Sequence, residues 1–196
     1  MEQEKILAGA EPFRPTNLFP RERLPTYFNR VVVLPCFHDD SSSHALTYAD
    51  ELFFQELSQA RLFEPVILSP DKSKELFGKE RISSTSALPG DFFEVLQQDF
   101  AANGALFVEL HSYKPYRPLS LGVRAKLVDL KSGEFMWAID ETFDSGDGSV
   151  MVALKEYQNR HYVRAVSKKT SGSILMSPRL FCKFTANSVF STLPKR

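Results

Sequence analysis

The sequence predicts an α/β protein, a three-layer sandwich whose mixed sheet has parallel N-terminal strands and a C-terminal antiparallel hairpin, with helices packed on the sheet. Three observations point there. The valine-rich run RVVVLPCF at 30–37 is apolar at consecutive positions, as a strand covered on both faces must be. A helical period and a second apolar run follow it, and the order strand, helix, strand implies a crossover between parallel strands. Further on, apolar and charged residues alternate on either side of a glycine turn, which gives two antiparallel strands with one wet face.

Each element has its own signal. Residues 1–29 hold Pro12, Pro15, Pro20 and Pro25, with Phe13, Leu18, Phe19, Tyr27 and Phe28 between them. Proline fixes φ and lacks a donor, so this part is expected to be extended, irregular and laid against a single α/β domain of residues 30–196. Arg30–Phe37 is the first strand. From Ser43 the apolar residues Ala45, Leu46, Ala49, Leu52, Phe53, Leu57 and Ala60 mark one helical face, with Asp50 and Glu51 turned outward. Phe63–Leu68 reads as a second buried strand. Ser69-Pro70-Asp71 is an N-cap, a first-turn proline and a first-turn acid, and Gly78 ends that short helix. Residues 79–90 are a polar loop.

Asp91–Ala102 is helical with Phe92, Phe93, Leu96 and Phe100 inward, and Asn103-Gly104 is its expected stop. Ala105–Tyr113 is a strand. Leu121, Val123, Ala125 and Leu127 alternate with Arg124 and Lys126, and the turn DLKSGE leads to Phe135, Trp137, Ile139 and Phe143 on the next strand. Two helices close the chain, at about 149–163 and 178–192, the second opened by Ser177-Pro178.

Composition narrows the function classes. Lys plus Arg and Asp plus Glu are 24 each, so the chain lacks the basic footprint of a dedicated nucleic-acid binder. No run approaches the ~20 apolar residues of a membrane-spanning helix, and MEQEKILAGAEPF is too polar for the core of a signal peptide. Cys36 and Cys182 have no zinc-ligand spacing. Two separately buried thiols are expected, with a long-range disulfide as the alternative.

FHDDSSSH at 37–44 is the densest cluster of potential ligands. A metal site would use His38, Asp39, Asp40 and His44, converging at ~2.0–2.2 Å. Adjacent residues on an extended segment point in opposite directions, however, and Ser and Asp collect between a strand and a helix because they cap its unpaired amides. The cluster therefore reads as a helix entry, with a small-ligand or metal site as the alternative. The loop lacks the glycines of a phosphate cradle, and neither GxSxG nor HExxH occurs. No catalytic residue and no cofactor is expected. Glu109, in an apolar strand, is either buried or a lone outward carboxylate. His111 and His161 are isolated. HSYKPYRPLS at 111–120 stands apart, because it gathers Tyr113, Lys114, Tyr116 and Arg117 around two prolines. Tyr and Arg are enriched at recognition surfaces, so these four are the candidate partner-binding residues, against the plainer reading of a hairpin loop.

Four stretches carry a family resemblance: RVVVLPCF at 30–37, YADELFFQELSQARLFEPV at 48–66, GALFVELHSY at 104–113 and VRAKLVDLKSGEFMWAIDETF at 123–143. Together they resemble the domain shared by curli-assembly (CsgG-like) envelope lipoproteins and penicillin-binding-protein activators, and the N-terminal domain of TolB is similar. The likeness spans about residues 30–145, and LVDLKSGEFMW is its most specific part. NLFPRERLPTYFNRVVVLP and SPRLFCKFTANSVFSTLP are similar to segments of uncharacterised bacterial lipoproteins of this kind. This chain shows no lipobox cysteine near its start and no membrane-spanning insertion, so a secretion-pore role is not implied.

The resemblance implies a periplasm-facing protein, lipid-anchored to the outer membrane through an N-terminal segment that this chain lacks. Its work would be protein–protein contact with envelope proteins or with itself, and the resemblance implies no catalytic residues. Two other readings remain: a cytoplasmic ligand- or metal-binding domain using the loop 37–44, and a hydrolase whose site has no familiar motif.

Overall fold

The computed structural model describes residues 11–20, 22–38, 48–162 and 177–196. Among them are seven strands, β1 (Leu18–Pro20), β2 (Arg30–Val33), β3 (Phe37–His38), β4 (Glu64–Ile67), β5 (Gly104–Lys114), β6 (Ser120–Asp129) and β7 (Phe135–Asp144). Five helices accompany them: α1 (Ala49–Ala60), α2 (Pro70–Phe77), α3 (Phe92–Phe100), α4 (Gly148–Tyr162) and α5 (Pro178–Phe190). The strands form one sheet in the order β1-β7-β6-β5-β2-β4, with β3 added beside β5. β2 is parallel to β4 and β5, whereas β5, β6, β7 and β1 are successively antiparallel. This is the expected mixed α/β sheet with helices packed against it.

Alternation along the central strands divides the core into two. Val31, Val33, Leu106, Val108, Leu121, Val123, Ala125, Leu127, Trp137 and Ile139 face α1, α4 and α5. Val32, Ala105, Phe107 and Val128 face the other way and meet Leu76, Phe77, Phe92 and Leu96 of α2 and α3. Both faces of β2 and of the first half of β5 are therefore dry, which is why residues 31–33 and 105–108 are continuously apolar. Trp137 is fully buried and its indole N–H donates to Thr192 Oγ1 at 3.1 Å, so the large ring enters the core with its polar atom satisfied. Close packing reaches the backbone at Gly104, where an added Cβ would lie 2.2 Å from Cζ of the buried Phe28.

Several expectations are corrected. The run 30–37 is two strands, because Pro35 supplies no amide and the chain breaks between β2 and β3. β4 is an edge strand rather than a buried one: Ile67 is 55% exposed, since no strand among the described residues pairs with β4 beyond β2. Helix α3 ends at Ala101, which takes a left-handed φ of 49°, and Gly104 already belongs to β5. Asn103 ties the two strands instead, as its side-chain oxygen accepts from the amides of Asn29 and Arg30. The N-terminal proline-aromatic segment contains β1, whose pairing with β7 is reinforced by Glu141 accepting from the amides of Thr16 and Asn17. Ala45 and Leu46 lie outside the described residues, and α1 begins at Ala49.

The caps follow the sequence more closely. Ser69 Oγ accepts from Lys72 N ahead of Pro70, Gly78 closes α2 with φ 74°, and Ser177 Oγ accepts from Leu180 N at the start of α5. Gly133 takes φ 73° in the β6–β7 turn, where Asp129 Oδ1 accepts from Lys131 N and Ser132 N.

Candidate functional site

The β5–β6 hairpin is the longest pairing in the sheet, running from Gly104↔Asp129 to Lys114↔Ser120. Its far end carries the tyrosine-rich segment. Pro115 and Pro118 restrict the connection between the strands, and Leu119 and Ser120 are buried at its base. Tyr116, at the tip, is 83% exposed. Lys114 and Arg117 are exposed beside it, and residues 111–120 contain no carboxylate, so the segment's own charges are positive. Tyr113 behaves differently from the other three candidates. Its hydroxyl shares a hydrogen bond of 3.2 Å with that of Tyr48, next to α1, and it packs against the core. Arg179 lies over the Tyr48 ring at 5.5 Å. Burial, then the Tyr113 hydrogen bond, raise the pKa of Tyr48, and the hydroxyl pair braces the hairpin against the residue that precedes α1.

Near the opening loop, Asp50 performs a task its outward helical position did not foretell. Its Oδ1 accepts from Cys36 N at 2.7 Å, and Arg81 donates to both carboxylate oxygens, at 3.1 and 2.8 Å. Arg81 Nη1 also donates to the Cys36 carbonyl at 2.5 Å. Carboxylate and guanidinium thereby satisfy the peptide groups freed where the strand breaks after Pro35. Of the four possible metal ligands only His38 lies among the described residues; Asp39, Asp40 and His44 fall outside them. His38 Nδ1 is buried without a hydrogen-bond partner among the described residues. The described residues contain no group of three His, Cys, Asp or Glu side chains that could hold a metal ion.

A polar network crosses the other face of the sheet. Arg124 on β6 stands in register between Glu109 on β5 and Asp140 on β7. Its Nε and Nη2 each lie 2.7 Å from Asp140 Oδ2, and Nη1 lies 3.7 Å from Glu109 Oε2. Glu109 is 5% exposed, and its Oε1 accepts from the amide and hydroxyl of Ser84. His111 Nε2 is 3.0 Å from Asp140 Oδ1, and the imidazole lies flat on Gly122, where a Cβ would come within 2.4 Å of Cε1. Glu109 is thus buried and His111 is paired. Sequence periodicity left the first open and missed the second, because both contacts cross strands.

No protein-family model matches the chain, and no curated protein does. Similar solved structures include the PelC dodecamer from Paraburkholderia phytofirmans, 15% identical over 69% of this chain and 85% of that one, with a TM-score of 0.45. Lipoprotein GNA1162 from Neisseria meningitidis is 16% identical over 70% of this chain and 99% of that one, with a TM-score of 0.44. The LpoB C-terminal domain from Escherichia coli is 14% identical over 71% and 93%, with a TM-score of 0.37. These are distant likenesses of chain path, and a fold does not by itself carry a function.

The remaining sequence candidates are structural. Cys36 and Cys182 are free, buried thiols in the same core cluster. Burial, with Asp50 adding to it, pushes the Cys36 pKa up, and burial pushes Cys182 up to about 12. Neither has the electropositive, accessible setting of a reactive thiol. His161 stacks on the buried Tyr157 with ring centres 4.4 Å apart. No helix of the described residues is long and apolar enough to cross a membrane.

Proposed function

We propose that this chain is a non-enzymatic interaction module of the bacterial envelope, which contacts an envelope protein or a second copy of itself through the tip of the β5–β6 hairpin. The observation that carries the proposal is Tyr116, a large aromatic side chain 83% exposed at the end of a long, braced hairpin. A tyrosine held out on a rigid support loses little conformational freedom on binding and offers both area and a directed hydroxyl. Lys114 and Arg117 flank it, so the matching surface presents carboxylates, or the acceptor groups of a second copy. Tyr113 belongs to the support.

The resemblance of RVVVLPCF and LVDLKSGEFMW to envelope lipoproteins supports a periplasmic setting with a lipid anchor in the outer membrane. Crosslinking followed by affinity recovery from envelope extract tests the proposal. A discrete partner, or a crosslinked homo-oligomer, that is lost on Tyr116→Ala is the expected result. Recovery of nothing above background overturns it.

One observation favours a second reading, a small-ligand or metal site using the loop 37–44: the buried Nδ1 of His38, which has no hydrogen-bond partner among the described residues. Thermal-shift and metal analysis with Zn²⁺, Mn²⁺ and Ca²⁺ separates the two, since the interaction module shows neither bound metal nor a shift.

A further inference from the structure

We infer that the cleft beneath the loop 83–86 is a binding site for an uncharged polyhydroxylated ligand the size of one sugar ring. The cavity is about 290 Å³, just below the ~300–1,000 Å³ typical of small-molecule sites. Phe37, at the end of β3, gives it an apolar wall; Ser83, Thr85, Ser86, Glu109 and Arg124 supply polar atoms. The inference concerns a different surface from the hairpin tip and stands apart from that reading.

Charge and hydrogen-bond capacity select the ligand class. The positive charge of Arg124 is already met by Asp140 at 2.7 Å, and the buried Glu109 carboxylate lies next to it, so an added anion is disfavoured. A cation approaching Glu109 meets the Arg124 guanidinium on the same wall. Among the described residues the wall offers an acceptor, Glu109 Oε2, and a donor group, Arg124 Nη1, 3.7 Å apart and so beyond direct hydrogen-bond distance, with the His111 imidazole beside them, its Nε2 engaged by Asp140. A hydroxyl meets both needs at once, donating to the carboxylate and accepting from the guanidinium. The loop extends the same pattern. Ser83 Oγ and Thr85 Oγ1 share one hydrogen bond of 2.8 Å, which uses one of their two O–H donors and leaves the other for a ligand. Ser86 donates to the Ser83 carbonyl and keeps lone pairs to accept with. Alternating donors and acceptors beside an aromatic ring match the vicinal hydroxyls and C–H face of a pyranose.

The wall is also preorganised. Ser84 fixes Glu109 by donating to it twice, Arg124 is fixed by donating from Nε and Nη2 to Asp140 Oδ2, and the strand register holds the carboxylate and guanidinium side by side. Burying a carboxylate at this depth stabilises the fold less well than an apolar side chain of its size.

Amide-resolved NMR titration of the intact chain tests this, using methyl glucoside, methyl galactoside and N-acetylglucosamine into the tens of millimolar, with acetate and methylammonium as charged controls. The expected result is saturable shifts at residues 83–86, 109–111 and 124 with at least one sugar and with neither control. Glu109→Gln keeps the acceptor for Ser84 and removes the charge from Oε2; it should weaken binding about 10-fold. Thr85→Ala, at an exposed position of the loop, provides a second variant that leaves the sheet untouched and should also weaken binding. Absence of saturable shifts, shifts elsewhere on the surface, equal response to acetate or methylammonium, or unchanged affinity in both variants overturns the inference.

Discussion

Arg81 Nη2 lies 2.8 Å from Asp50 Oδ2, a side-on ion pair that also holds the Cys36 peptide group through its amide and its carbonyl. The pair ties the first turn of α1 to the end of the parallel strands, immediately beside the loop read from sequence as a helix entry. The side chains are 27% and 34% exposed, so solvent screens them in part. Arg81→Met should lower stability by about 1–2 kcal/mol, from lost charged hydrogen bonds discounted for that exposure. Urea denaturation of the variant against the parent measures it.

Gly104 offers a sharper packing test. Phe28 fills the space a side chain would need, and its ring is enclosed by the core, edge-on to Phe63 at 6.2 Å between centres. Gly104→Ala should therefore cost about 1–3 kcal/mol as an overpacking change. Pairing it with Phe28→Leu should recover part of that loss, which a double-mutant denaturation cycle reads directly.

The buried thiols set an alkaline limit. Cys182 holds its proton in the folded state up to about 12, from an ordinary value of 9.0. Between those values the folded chain binds more protons than the unfolded one, so stability falls as pH rises through this window and is unaffected by this thiol below it. Cys36 is shifted in the same direction, chiefly by burial. Below pH 9 neither thiol should react with a thiol-specific reagent until the chain is unfolded, and Cys182→Ala should flatten the stability curve above that pH.

Much of the fold was legible because it depends on local periodicity. Val31 to Val33 announced a strand dry on both faces, and Ser69-Pro70, Ser177-Pro178 and Gly133 announced their caps and turn through chemistry that involves near neighbours only. What was illegible depended on contacts distant in sequence. The break at Pro35 became clear only with Asp50 and Arg81 in place, and the exposure of β4 followed from its position at the sheet edge. Tyr113 and Tyr116 are three residues apart and look alike in sequence, yet strand direction and Tyr48 turn one into a brace and leave the other exposed. The Glu109–Arg124–Asp140 ladder likewise needed the register of three strands.

The hairpin tip carries two cations and no carboxylate, so its contact with a partner should weaken as salt is raised. Crosslinking yield across an ionic-strength series checks this, and Lys114→Glu with Arg117→Glu should reduce the yield more than salt does. Tyr116→Ala should shift stability by no more than about 0.5 kcal/mol, because an exposed side chain away from the core contributes little.

The most direct measurement is site-specific photocrosslinking in the native envelope, with p-benzoylphenylalanine placed at position 116 and, as a control, at the exposed position 155 on α4. A discrete adduct from position 116, absent from position 155 and identified by mass spectrometry as one envelope protein or a second copy of the chain, is the predicted result. Equal labelling from both positions, or no adduct from position 116 in a correctly folded chain, contradicts an interaction module that works through this hairpin.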